Sequence, residues 1–277
     1  MRRRPSRWVP AILLLLAVAP GTALARTPSA SPDPAAIALI ARSIVATRAA
    51  TSMHVTITGS GPVAGMALMK PATLDGARME ADIDVARPAF SAEVDAPFLG
   101  WSGLGMRALD GHAYSGGGSA MGGMWVGEDA TVLGDRGILG SVPGVGMLLD
   151  GDSSQAALEN AIRRKLSRAG ASIALAGERS CGAGTCTLVH LEGPLSADPT
   201  GLADLIGPQP DGTIEPGDFA ILADVLVDTA TARIDTVDVT LHAPTSDTTV
   251  QLTIGAYDEP VTIEAPPADQ ITENTGG

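Results

Sequence analysis

Aromatic residues, histidine and cysteine are all scarce in this chain. Aromatics make up 3% of its 277 residues, and it has four histidines and two cysteines. A core must therefore be filled mainly by Ala, Val, Ile, Leu and Met side chains. The histidines are dispersed, and the sequence has no Walker lysine motif, no His-x-x-x-His pair and no calcium loop. These absences exclude the common signatures of nucleotide-dependent and metal-dependent enzymes, and no cofactor or metal is expected.

Positive charge is also scarce. The chain has 18 Lys and Arg against 31 Asp and Glu, a net charge of −13. Such a surface repels nucleic acid and anionic membrane over most of its area, so no nucleic-acid partner is expected, and membrane contact is peripheral or transient at most. The exception is a cluster of four cations, Arg163, Arg164, Lys165 and Arg168. Favourable placement at a helix C-terminus with salt bridges to acidic neighbours is preferred over docking of anionic lipid headgroups.

The N-terminal segment predicts export. Four arginines lie within the first seven residues, and an apolar run follows from Val9 to Ala19. This run is shorter than the roughly 20 residues that span a bilayer. Small residues at Ala23 and Ala25 then offer a cleavage site. We predict a signal peptide over 1–25, without a lipoprotein anchor cysteine, and a mature protein in the periplasm, the cell envelope or the medium.

The two cysteines lie in a predicted hairpin. Cys181 and Cys186 flank four residues between two strand-like runs, 171–175 and 187–191. An exported protein meets oxidising conditions, so a disulfide is preferred. The alternative adds His190 to make a partial metal site, but no fourth ligand is evident.

Regular structure is predicted on both sides of a glycine-rich middle. Residues 26–33 are a linker, and Asp33 caps a helix that starts at Pro34 and ends near Ala50. A second helix starts at Asp152 and is stopped by Gly170. Strands with alternating apolar and polar residues are predicted from these patterns, and their ranges are 53–58, 80–85, 219–227, 232–241 and 249–257.

Because the strands arrive in runs, they predict an α+β class with an antiparallel sheet. Asp110-Gly111 predicts a tight hairpin within 106–115. We expect one domain over 34–267 and a tail over 268–277.

The glycine-rich segment 97–149 has large apolar residues scattered through it. It is either a loose cover of the core or an adaptable lid over an apolar cavity, because Met and Gly allow repacking around a flexible ligand. The candidate pocket residues in this segment are Trp101, Leu104, Met106, Met121, Met124, Trp125, Leu139, Val142, Met147 and Leu148.

No catalytic motif survives inspection. Residues 100–104 miss the last glycine of a nucleophile elbow, and the similar motif at 113–117 runs into glycines instead of a helix. The glycines at 103 and 105 precede a hairpin, not the helix of a dinucleotide site. His54 and His242 lie on predicted solvent-facing strand positions. We expect a protein that is not an enzyme.

Several local phrases in this order are similar to a known family. They are Ala-Thr-Ser-Met-His-Val-Thr-Ile at 50–57, Asp-Gly-His-Ala-Tyr at 110–114, the cysteine hairpin at 177–190, and the stretches 226–234 and 257–267. The chain resembles the LppX/LprAFG family of exported lipoproteins, whose fold is related to the LolA/LolB carriers and the RseB-type sensors.

The resemblance implies a strongly curved antiparallel sheet, or half barrel, plugged by helices that enclose a lipid or acylated ligand, and it carries over no catalytic residues. It favours the pocket-cover interpretation of 97–149. We expect a non-catalytic extracytoplasmic binding protein for an apolar ligand, such as a lipid carrier. The alternative is an RseB-like sensor or protein-interaction module with an envelope protein partner.

Overall fold

The fold is an open twelve-stranded sheet with two helices. The computed structural model describes residues 31–63, 72–87, 89–118, 122–129, 154–182, 184–194, 220–242 and 246–273. The helices are α1 (Pro34–Arg48) and α2 (Gln155–Ala169). The strands are β1 (Ser52–Ser60), β2 (Pro62–Val63), β3 (Ala72–Thr73), β4 (Arg78–Asp84), β5 (Ala89–Ala96), β6 (Trp101–Leu109), β7 (His112–Gly116), β8 (Trp125–Asp129), β9 (Ser172–Cys181), β10 (Gly184–Pro194), β11 (Ala220–Asp228), β12 (Ile234–His242), β13 (Asp247–Gly255) and β14 (Ile271–Glu273).

Strand β1 lies in the middle of the sheet. The strand order is β14-β8-β7-β6-β5-β4-β1-β13-β12-β11-β10-β9, and β2 and β3 form a separate two-stranded sheet. Every pairing in the large sheet is antiparallel except that of β14 with β8. The chain therefore builds an N-terminal half outward from one side of β1 and a C-terminal half that returns to its other side.

The predicted alternation of side chains sets the two faces of the sheet. On β1, Val55 and Ile57 are buried, whereas His54 and Thr56 between them are partly exposed. Val55 pairs with Ala81 on one side and with Ile254 on the other, so the apolar face continues across the strands. The sheet curves around this face as a half barrel, and the predicted fold class is confirmed.

Both helices pack on the concave, apolar face. Asp33 caps α1 as predicted, because its carboxylate accepts a hydrogen bond from the backbone N–H of Ala35 at 2.8 Å. The N-cap of α2 is Ser154, not Asp152, and its hydroxyl oxygen accepts from the N–H of Ala157 at 3.3 Å. Among the residues described here, neither helix is long and apolar enough to cross a membrane.

Part of the glycine-rich segment forms sheet, which differs from the expectation of an irregular cover. Strands β6, β7 and β8 all lie within 97–149, and residues 130–153 lie outside the described residues. The predicted hairpin at Asp110-Gly111 is confirmed. Both residues have positive φ, as the favoured two-residue turn requires.

The C-terminal segment crosses the convex face as a strap, defined here as residues 259–270. Ile263 is buried against Ala89 and Leu109, and the backbone carbonyl of Glu264 accepts a hydrogen bond from Arg107 Nη1 at 2.9 Å. The strap delivers β14 to the far edge of the sheet, where it pairs with β8. Residues 268–273, which the sequence analysis places in a tail, are therefore part of the fold.

A polar joint ties α1 to the turn between β11 and β12. The hydroxyl oxygen of Thr47, a fully buried residue, accepts a hydrogen bond from the N–H of Ile234 at 3.1 Å. The carbonyl of Ile234 accepts from the Tyr257 hydroxyl. The Arg233 guanidinium lies 4.9 Å from the centre of the Tyr257 ring, within the range of a cation–π interaction.

Asp258 completes the joint. Its carboxylate is 2.6 Å from Arg233 and accepts from the backbone N–H and the hydroxyl of Thr51, at 2.8 and 3.2 Å. Asp258 and Ala256 both have positive φ, which is uncommon for residues other than glycine. The contacts of Asp258 therefore hold the turn that follows β13 in an unfavourable backbone conformation.

Tyr257 should titrate late. Burial raises its pKa to about 12 from 10.0, opposed by a hydrogen bond involving Thr47 and by the charge of Arg233. As the pH passes 10, the Tyr257 hydroxyl loses its proton in the unfolded chain before it does so in the folded protein. The free energy of unfolding should therefore fall between pH 10 and 12. The ultraviolet absorbance of tyrosinate should show a step near pH 12 that is absent from Tyr257→Phe. A late step that persists in this variant, with circular dichroism showing folded protein, would contradict the assignment.

The Asp258→Asn variant tests the ion pair of the joint. The Thr51 backbone N–H, followed by Arg233, lowers the pKa of Asp258 below 3.8. Its carboxylate therefore stabilises the folded state above pH 3.8, and this contribution is lost as the pH falls through the lower folded-state value. The difference in urea midpoint between wild type and the variant should be largest near pH 7 and should narrow in acid. A difference that is constant with pH would exclude a charge effect.

Candidate functional site

The concave face is apolar from one half of the sheet to the other. In the N-terminal half, alternate residues of β4 and β5 face the helices and are buried in one cluster with Ile44 and Leu158. In the C-terminal half, Val225, Val237 and Val250 pack against the same cluster but are only partly buried. The space between sheet and helices is therefore lined by apolar side chains, some of which retain accessible surface.

A partly exposed apolar set lies where β5 passes into β6. We call it the apolar rim and define it as Phe98, Leu99, Trp101 and Leu104. A one-turn 3-10 helix over Pro97–Leu99 ends at Gly100, whose φ of 72° lets the chain turn back into β6. This turn places two aromatic rings and two leucines beside the main core cluster.

Three of the predicted pocket residues come together here. Leu104 and Met106 alternate on the concave face of β6, and they pair with Val94 and Ala92 of β5. Trp101 pairs with Ala96 after a register shift, and it contacts the same cluster. Met106 is buried in that cluster, whereas Trp101 and Leu104 are partly exposed.

Trp125 lies on the opposite face. It pairs with Gly116, which pairs with Gly105, and Gly105 falls between Leu104 and Met106 on β6. The indole is 7% exposed and lies across Gly105, with the Arg107 guanidinium 4.9 Å from its ring centre. Trp125 therefore packs on the convex side and is separated by the sheet from Trp101.

Met124, another predicted pocket residue, does not join this group. Met124 is 43% exposed. The remaining five lie outside the described residues, and they are Met121, Leu139, Val142, Met147 and Leu148.

Part of the concave lining was not predicted from the sequence. Phe98 and Leu99 belong to the apolar rim but were not singled out, and Val225, Val237 and Val250 come from the other half of the sheet. The period-2 alternation of β11, β12 and β13 identifies the facing positions within each strand. It does not show that these strands share a face with β6, because that depends on the pairing through β1.

The cysteines form the predicted disulfide. Cys181 and Cys186 are bonded across the β9–β10 hairpin, with Cα atoms 5.8 Å apart. The carboxylate of Asp235 lies near the sulfurs. The His190 ring is instead hydrogen-bonded to Asp224, with Nδ1 and Oδ1 2.6 Å apart. Bonded sulfurs are not thiolate ligands, so the alternative metal site is not formed from Cys181, Cys186 and His190.

Three histidines lie in cross-strand pairs on the convex face. In addition to His190 with Asp224, His54 pairs with Asp82 at 2.8 Å. The third pair, His242 with Asp247, is at 2.6 Å. Each histidine is more than one third exposed. The Thr56 hydroxyl also lies 3.4 Å from Nε2 of His54, near the outer limit of a hydrogen bond and on the same solvent-facing side of the sheet. Their arrangement is that of surface pairs across the sheet.

The comparisons with solved structures identify the fold. The lipoprotein LppX of Mycobacterium tuberculosis superposes with a TM-score of 0.51 at 16% identity, covering 84% of this chain and 100% of LppX. The chain has the fold of LppX. LprF of Mycobacterium bovis matches at a TM-score of 0.45 and 17% identity, covering 86% of this chain and all of LprF.

MucB matches at a TM-score of 0.38 and 12% identity, covering 87% of this chain and 63% of MucB. No protein-family model and no curated protein matches the sequence. The likeness to LppX confirms the architecture that the sequence resemblance implied.

Replacing Gly105 with Ala should disturb the packing of Trp125. A Cβ at this position would lie 2.3 Å from Trp125 Cη2, and the indole is confined by Arg107 and by Gly117. Overpacking of this kind costs about 1–3 kcal/mol. We expect a lower free energy of unfolding by urea denaturation and a changed tryptophan signal in near-ultraviolet circular dichroism.

Gly255→Ala is the matched control, because a Cβ at Gly255 meets no atom within 4 Å. This variant should stay within roughly 0.5 kcal/mol of wild type. Equal effects of the two substitutions would mean that Trp125 does not require the glycine.

Proposed function

We propose that this protein binds an apolar ligand, a lipid or an acylated molecule, between the concave sheet and its helices. The observation that carries the proposal is the apolar rim. Phe98, Leu99, Trp101 and Leu104 keep accessible surface while they are continuous with the core. Exposure of such apolar surface to water is unfavourable. Each Å² that a ligand covers contributes about 25 cal/mol to the free energy of binding.

The rest of the concave lining supports the same ligand class. Its side chains in the two halves of the sheet are apolar, and on β1 and β4 polar residues alternate to the convex side. A site with this lining favours hydrocarbon over sugars, nucleotides or peptides with charged side chains. The fold of LppX and the family resemblance of the sequence agree with a binding role.

The proposed role is binding without a chemical step. The described histidine–aspartate pairs lie on the convex face, so they are separated from the concave lining by the sheet. The ligand would be sequestered from water and released unchanged, as a carrier requires.

Titration with fatty acids of increasing length tests the proposal. Affinity of the delipidated protein should rise with chain length, because each buried methylene contributes about 0.8 kcal/mol. Trp101 should report binding through its fluorescence, whereas Trp125 faces the other side of the sheet. The ligand-dependent change should survive in Trp125→Phe and disappear in Trp101→Phe.

A charged residue at the apolar rim should weaken binding. Leu104→Asp places a carboxylate against the ligand, and we expect at least tenfold weaker affinity because an unpaired charge is costly there. Val85→Asp is the control, since Val85 is 37% exposed in the turn after β4. Affinity that is independent of chain length, or equal in both variants, would reject the apolar site.

A further inference from the structure

The exposed side of α2 carries an unusual concentration of positive charge. We define the cationic face as Arg163, Arg164, Lys165 and Arg168, all of which are exposed. None of these four makes an ion pair with the part of the chain that the structure describes. In a chain of net charge −13, four unneutralised cations within six residues require an explanation.

Helix-end electrostatics explains only one of them. The helix runs to Ala169 and is closed by Gly170, so that Arg168 alone lies in the last turn. The other three lie further from the carbonyl end, where the effect of the helix dipole has faded. The predicted salt bridges to acidic neighbours are not formed among the described residues. The one acid on α2 is Glu159, and its carboxylate accepts a hydrogen bond from Gln155 Nε2 at 2.9 Å.

The packing of α2 determines where this charge points. Leu158 and Leu166 are buried and Ile162 is partly buried against the concave side of the sheet. A helix held by these residues turns its opposite side away from the sheet. Arg164 and Arg168 lie one turn apart on this outward side, and Arg163 and Lys165 lie at its two margins. The cationic face is therefore presented on the same side of the molecule as the apolar rim, and the strap and the histidine–aspartate pairs lie on the other side.

We propose that the cationic face of α2 docks on the surface of an anionic phospholipid membrane. Phosphate headgroups attract each Arg or Lys near the surface with a gain of roughly fivefold in affinity. The acidic remainder of the molecule is repelled by the same surface, so one orientation is selected. That orientation turns the concave side toward the bilayer.

Vesicle flotation tests the docking, with protein exported and processed by its own cells. Vesicles of phosphatidylglycerol and phosphatidylcholine should carry the protein upward at about 0.1 M salt and should release it at about 1 M, where the screening length falls to about 3 Å. Vesicles of phosphatidylcholine alone should not carry it.

A triple variant assigns the effect to α2. Arg163→Gln, Arg164→Gln and Arg168→Gln together should weaken binding to the anionic vesicles by about a hundredfold. The matched control removes the same charge elsewhere through Arg78→Gln, Arg87→Gln and Arg179→Gln, and should bind nearly as wild type. The α2 variant should still bind fatty acid, so a failure of docking and a failure of the apolar site are separate results.

Three outcomes would overturn the proposal. They are no flotation of the wild type with anionic vesicles at low salt, equal flotation with neutral vesicles, and equal losses in the two triple variants. The last outcome would mean that net charge, not the cationic face, controls the association.

Discussion

The pairing of β1 with β13 joins the two halves of the sheet, and the contacts between Asp258, Arg233 and Thr51 lie at one end of this pairing. Strand β1 begins directly after Thr51, and β13 ends at Gly255, separated by one residue from Tyr257 and Asp258. Arg233 comes from the turn that precedes β12. One carboxylate thus holds together the start of the central strand, the end of its neighbour and the next hairpin. The same pairing of β1 with β13 carries the apolar face from one half of the sheet to the other.

That continuity explains how a chain with few aromatic residues builds a core. Small side chains of the sheet, such as Ala81 and Ala92, share one cluster with Ala41 of α1, so the helix can approach the curved face closely. The two aromatic residues of the apolar rim are placed at its margin, where the strands diverge from regular pairing. The lining is therefore tight beneath α1 and more open toward β6 and β11.

Local patterns predicted the elements but not how they meet. The caps of α1, the Asp110-Gly111 turn and the cysteine hairpin each depend on residues close in sequence, and all three are confirmed. The ion pair of Arg233 with Asp258 joins residues whose spacing carries no periodic signal. The strap has little regular structure of its own, and its path depends on the pocket that Ala89 and Leu109 leave on the convex face.

The two tryptophans of the candidate site show the same limit of prediction from the sequence. Trp101 and Trp125 have the same character in the sequence, yet the structure places them on opposite faces. The face of Trp125 depends on the pairing of β8 with β7. Because the chain turns at Gly122-Gly123 before β8, the side of the sheet on which Trp125 lies cannot be found by counting residues from β6.

Because Trp125 faces outward, its indole lies against Gly105 and Gly117, where the absence of side chains leaves a flat surface for the ring. The glycines near β6 and β7 therefore serve close packing on the convex side, which an interpretation of this part of the chain as a loose cover does not require. An adaptable cover of the concave side would have to come from other parts of the chain, while β6 contributes a fixed wall.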